Sequence, residues 1–250
     1  MREGIEKVED LNQEEMAGLV LNMLHRLVMH YGFWFFEVEK RLGREKAMVI
    51  MRLASKRSYE AQMPRIGESL GFQIRDGIPK PLLDMSRESL TSFLDNIAKN
   101  WLANDGVWFQ AVEFTTGMSE AKHCNDSCWT KFSPFEAWSI KEFLGLPTEA
   151  GLSGLKKALG FRLYARINLQ SIIDESPNSI VFQMNECRVQ SARKRRGLPD
   201  YPCKSAGVVE YTSFASAVDS RITTECIGCP PDSHPDEWYC AWRFRLADKA

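Results

Sequence analysis

Apolar residues recur at three- and four-residue spacing through residues 11–71, and a closely matching pattern returns at 85–145. That period predicts amphipathic helices. Asn12 and Ser86 open the two stretches as N-cap types. Gly32 and Gly106 each interrupt the pattern before a Trp-Phe step, and Gly43 and Gly117 are expected to separate a short helix from a longer one. A shift of 74 positions superposes the stretches without a gap. Identical pairs include Asn22/Asn96, Gly32/Gly106, Trp34/Trp108, Phe35/Phe109, Glu39/Glu113, Gly43/Gly117, Ala47/Ala121, Ile66/Ile140 and Gly71/Gly145. Identities make up about a fifth of the window, against roughly one in fifteen for unrelated segments. The chain is therefore read as a helical region over residues 1–149, made of two repeats (11–71 and 85–145), with a linker from Gly71 to Met85. The copies are expected to pack as a pseudo-symmetric bundle with Trp34 and Trp108 in its core.

After Pro147 the period changes. Residues 154–164 read as a helix, residues 165–173 and 180–187 as strands around a Ser176-Pro177-Asn178-Ser179 turn, and 188–197 and 204–218 as helices. Two further extended arms follow at 221–227 and 238–246. The fold class is α+β: a duplicated helical region, then a four-stranded antiparallel sheet packed on helices over residues 150–250.

Composition narrows the function classes. With 250 residues, 44% hydrophobic and 26% charged, the chain has ordinary globular proportions. A net charge of -1 supplies no global attraction to nucleic acid or membrane. No apolar run approaches the roughly 18 residues of a spanning helix, and the polar opening MREGIEKVEDLNQEE is unlike a secretory signal. A cytosolic protein is the expectation, with its seven cysteines as thiols or metal ligands rather than disulfides.

Five of those cysteines, Cys187, Cys203, Cys226, Cys229 and Cys240, crowd the carboxy-terminal part. Cys226-Ile227-Gly228-Cys229 places two sulfurs within reach of one ion, and hairpin arms would bring Cys240 alongside. Four of the five are expected to hold a metal. Zinc is the first choice, because a closed thiolate tetrahedron suits it; a [4Fe–4S] cluster is the alternative. His234 is a further candidate ligand. Weaker candidates are the paired Glu39 and Glu113, and His123, Cys124 and Cys128, whose counterparts Val49, Ile50 and Ala54 suggest a packing face. The concentrated positive charge, Arg188 with Arg193, Arg195 and Arg196, would suit a carboxylate, a phosphate or an acidic partner. It lacks a nucleic-acid recognition motif.

The run Cys203-Lys204 through Gly207 and Phe214, then Thr224-Glu225-Cys226 and Trp238-Tyr239-Cys240-Ala241-Trp242-Arg243-Phe244, resembles the closing half of the 4-vinyl reductase domain. That family is a small-molecule-binding module related to TRAPP transport subunits and nitric-oxide-sensing haem domains. Cys203, Cys226 and Cys240 match its three cysteine positions; Cys187, Cys229 and the proline-rich loop depart from it. The chain is also similar to aminothiazoline-carboxylate hydrolase-like proteins. The phrases FRLYARIN, NECRVQSARKRRGLPDYPCK and CIGCPPDSHPDEWYCAWRF resemble an uncharacterised cytosolic family of anaerobic microbes.

The resulting expectation is a metal-binding, small-molecule-binding or sensory protein whose ligand is a small anion and which can form oligomers. The alternatives are a zinc-dependent hydrolase of a small cyclic amide-like substrate and an iron–sulfur redox protein. No phosphate loop, nucleotide fingerprint or serine triad motif is present in the sequence.

Overall fold

The computed structural model describes residues 6–197 and 200–247; the first five residues of the polar opening and the last three of the chain lie outside it. In chain order the helices and strands are α1 (Gln13–Leu42), α2 (Arg44–Leu70), β1 (Ile74–Arg75), β2 (Ile78–Pro79), α3 (Lys80–Leu83), α4 (Arg87–Thr116), α5 (Met118–Leu144) and α6 (Gly151–Gly160). Then come β3 (Leu169–Ser176), β4 (Ser179–Glu186), α7 (Arg188–Lys194), α8 (Lys204–Val218), β5 (Ile222–Gly228) and β6 (Cys240–Leu246). The chain divides into two compact units, Met1–Lys80 and Pro81–Ala250. The division falls between the two repeats and not after residue 149, so the second repeat shares a unit with the α+β part.

The duplication is visible in the backbone. Asn12 and Ser86 cap α1 and α4 by accepting the N–H of the residue three positions on. Gly43 and Gly117 adopt φ of 80° and 100°, a conformation that L-residues avoid, and each ends one helix and starts the next. Gly71 and Gly145 are left-handed C-caps, with Phe72 and Leu146 donating back to the carbonyls of Gly67 and Lys141. The sequence reading erred inside these hairpins. Gly32 and Gly106 lie within uninterrupted 30-residue helices, so the first helix of each pair is the longer one. A single helical glycine costs about 1 kcal/mol, which a helix of this length carries through. The core placement of Trp34 and Trp108 is also corrected: they are 63% and 58% exposed. The linker carries the β1–β2 hairpin, turned by Asp76 and Gly77, both at positive φ.

In the second unit the sheet is antiparallel, in the order β3-β4-β6-β5. The α+β reading is correct, and α8 spans the predicted residues 204–218. Residues 165–168 are not strand, because a 3₁₀ turn at Leu163–Arg166 precedes β3. The core draws Leu155 and Leu159 from α6, Phe182 and Met184 from β4, Tyr211 and Phe214 from α8, and Trp242 and Phe244 from β6. Helix α8 is thus held between the sheet and α5, and that arrangement places the site.

Candidate functional site

A cavity of about 460 Å³ opens within the second unit, in the range of small-molecule pockets. Helix α4 contributes Leu102, Asp105, Phe109 and Glu113, and α5 contributes Asn125 and Trp129. Tyr164, Asn168 and Met184 line the side near the sheet, and α7 supplies Arg188, Val189, Gln190 and Arg193. Gly207, Glu210 and Tyr211 come from α8 and Trp242 from β6, while Cys187, Cys203, Cys229 and Cys240 complete the wall. The aromatic residues are set against one another. Trp129 stacks on Tyr164 with centroids 5.8 Å apart, Tyr211 stacks on Trp242 at 4.8 Å, and Phe109 meets Tyr201 edge-on at 5.6 Å.

Beside the cavity lies a buried charge cluster. Arg162 is 2% exposed and sits between two buried carboxylates. Its Nε donates to Glu136 Oε2 at 2.8 Å, and its Nη1 lies 2.7 Å from Glu210 Oε1. Burial opposes the Arg162 charge, but Glu136 and Glu210 outweigh it and hold the group protonated. Burial pushes Glu210 up to about 7, against the pull of Arg162, and the Glu136 charge adds to the rise. Both pKa values rise, with opposite consequences for charge: the guanidinium keeps its charge while the Glu210 carboxyl is pushed towards its neutral form. The hydrogen bonds explain why. Glu136 also accepts the Leu163 N–H at 3.1 Å, whereas Glu210 Oε1 has no well-aligned donor. One cation serves two anions, and Glu210 is the less well satisfied of them. Burial likewise raises Asp105.

The thiols share one end of the sheet. Cys203 and Cys229 sulfurs are 3.5 Å apart, and Gln190 Nε2 donates to Cys203 Sγ at 3.5 Å. The Cys229 contact lowers Cys203, while the hydrogen bonds of Cys229 with Cys203 and Cys240 raise Cys229, so Cys203 is the more acidic of the pair. Burial pushes Cys187 up to about 12 and also raises Cys226. Cys226 does not reach the cavity. It pairs with Trp242 in the ladder, with a register shift between Cys226 and Gly228. Among the described residues no group of three or more His, Cys, Asp or Glu side chains is arranged to hold a metal ion.

Several other candidates fall elsewhere. His234 Nε2 lies 3.0 Å from Asp200, and its Nδ1 lies 2.8 Å from the Pro235 carbonyl. Burial opposes its charge, but these contacts prevail and raise its pKa. Cys124 and Cys128 are exposed, and His123 lies 3.7 Å from Glu120. Glu39 pairs with Arg44, whereas Glu113 lines the cavity. Of the basic run, Arg188, Arg193 and Arg196 line the cavity; Arg195 is exposed and does not.

Sequence reasoning missed Arg162, Glu136, Glu210, Asp105 and Gln190. One signal was present: Glu210 lies on the α8 face that carries Ala206, Gly207, Tyr211 and Phe214, and a carboxylate among apolar neighbours needs a partner.

A family model described as "Family of unknown function (DUF6125)" matches residues 83–246. The chain belongs to that family. The DUF6125 match starts close to the boundary of the second unit and contains every residue that lines the cavity. The first hairpin lies outside the DUF6125 match. No curated protein and no solved structure matches the chain significantly.

Proposed function

We propose that the protein binds a small organic anion with an aromatic or apolar body in the cavity of the second unit. The observation that carries this reading is the composition of the wall. Trp129, Tyr164, Tyr211 and Trp242 supply flat apolar surface, and Arg188, Arg193 and Arg196 supply positive charge. Trp242 Nε1 and Asn168 Nδ2 are buried donors without a hydrogen-bond partner in the protein. Both residues line the cavity and add polar groups to its otherwise aromatic wall. The resemblance to the 4-vinyl reductase module implies a small-molecule ligand; its charge and aromatic body are read from the wall alone.

Calorimetry with indole-3-carboxylate and a panel of related aromatic carboxylates tests this, with uncharged indole as the control. The carboxylates are expected to bind at least about tenfold more tightly than indole, with that margin lost in Arg188→Ala/Arg196→Ala. Absence of binding across the panel, or equal binding by the variant, overturns the reading. Elemental analysis for zinc, iron and acid-labile sulfide on anaerobically purified protein tests the two metal readings raised by the cysteine count. Helices long and apolar enough to cross a membrane are absent among the described residues.

A further inference from the structure

We propose that Cys203 and Cys229 form a redox-active dithiol that reduces low-molecular-weight disulfides and closes an intramolecular disulfide in the cavity wall. Their sulfurs are already in van der Waals contact at 3.5 Å, and closure to the roughly 2.0 Å of a disulfide needs only a small displacement. The backbone holds the two segments together. The Lys204 N–H donates to the Pro230 carbonyl at 2.9 Å, and Lys204 Nζ pairs with Asp232 at 2.7 Å. The start of α8 is thereby tied to the turn that follows Cys229. Gly207 leaves the room: a Cβ there would stand 2.7 Å from the Trp242 ring and 3.7 Å from the Cys229 sulfur.

The two thiols have different access. Cys229 is 1% exposed, whereas Cys203 is half-buried, and both line the cavity. Buried Gln190 donates to the Cys203 sulfur and is itself held by two hydrogen bonds with the Tyr201 backbone, both 2.8 Å. Cys203 is therefore the entry thiol and Cys229 the resolving one. The Cys203 thiolate attacks one sulfur of the small disulfide. That S–S bond breaks, a thiolate leaves with the electron pair, and a mixed disulfide forms at Cys203. Cys229 gives up its proton and attacks the Cys203 sulfur, and the second small thiolate leaves. The protein loses two electrons and two protons, and the small disulfide gains them as two thiols. The activity is independent of the anion-binding reading, since it needs no ligand.

The test incubates the reduced full-length chain with oxidised glutathione under anaerobic conditions, quenches with iodoacetamide and maps peptides by mass spectrometry. The expected product is a Cys203–Cys229 cross-link, with two equivalents of glutathione released per chain. Cys229→Ser should stop at a glutathione adduct on Cys203, and Cys203→Ser should react at least about tenfold more slowly. The wild-type map decides the question even if a variant fails to fold. A cross-link to Cys240 or elsewhere, a lasting adduct on the wild-type chain, or reaction only after denaturation overturns the proposal. So does a bound metal ion that shields both sulfurs in the purified protein.

Discussion

The two hairpins, α1–α2 and α4–α5, share helix lengths, caps and the glycines that break them, yet they are buried very differently. In the first, Ala47, Met48 and Gly67 are the buried helical residues among those described. In the second, α5 alone buries Ala121, Trp129, Ser133, Glu136, Ala137 and Ile140. Ala47 and Ala121, identical and buried in both, mark the close approach within each hairpin. The rest of the difference lies where α5 packs on α8. There the first copy has Ser55 for Trp129 and Gln62 for Glu136. Gln62 donates to Tyr31 and Ser58 within its own hairpin, whereas Glu136 reaches Arg162. A helical hairpin fold thus survives exchange of the residues that give it a site, because its caps and its glycine break do not involve them.

The comparison can be broken most strongly at Arg162. Arg162→Met leaves two buried carboxylates uncompensated and should cost about 3–5 kcal/mol. Segment-resolved hydrogen exchange should show lost protection in α5 and α8 with α1 and α2 unchanged. Similar losses in both hairpins would contradict the difference drawn between them. Trp129→Ser, which installs the residue of the first copy, should cost about 3–5 kcal/mol by urea unfolding. The reciprocal Ser55→Trp should change stability by less than about 1 kcal/mol.

A smaller effect is expected from Glu136→Gln, the residue found at 62. It removes a charged acceptor from Arg162 and should cost about 1–3 kcal/mol. It also removes the like charge that helps raise Glu210. The folded state takes up a proton on Glu210 that the unfolded chain, with its ordinary carboxyl near 4.5, does not. The stability Glu210 contributes is therefore fully present below about 4.5 and is lost as pH rises through about 7. Unfolding free energies across that window should show the fall in wild type. It should be narrower in Glu136→Gln and absent in Glu210→Gln. Smallest of all, Trp34→Ser and Trp108→Ser should each cost less than about 1 kcal/mol, since both rings are largely exposed. A larger loss at either would mean that the ring is covered in solution.

Much of the architecture was legible because its signals are local. Asn12, Ser86, Gly43, Gly117, Gly71 and Gly145 act through their own backbone or that of the next turn, and the period of the apolar residues does the rest. The site was legible in part. Cys187, Cys203, Cys229, Cys240, Arg188, Arg193 and Arg196 do meet around one cavity. Cys226 and Arg195 lie off that cavity: Cys226 pairs with Trp242 in the β5–β6 ladder, and Arg195 is exposed. Spacing along the chain does not record which side chains of a cluster face one cavity.

By itself the sequence determined the class of fold, the duplication with its caps and the glycine breaks at Gly43 and Gly117, the antiparallel sheet and the crowding of thiols in the carboxy-terminal part. Capping, glycine conformation and hydrophobic period are properties of a few neighbouring residues, so one chain suffices to show them. Only the tertiary structure decided that the units divide between the repeats, that Arg162 joins Glu136 from α5 to Glu210 from α8, and that Cys203 meets Cys229 across 26 positions. Those contacts depend on how α8 lies between α5 and the sheet. Burial then turns an ordinary arginine, two ordinary carboxylates and two ordinary thiols into groups with chemistry of their own.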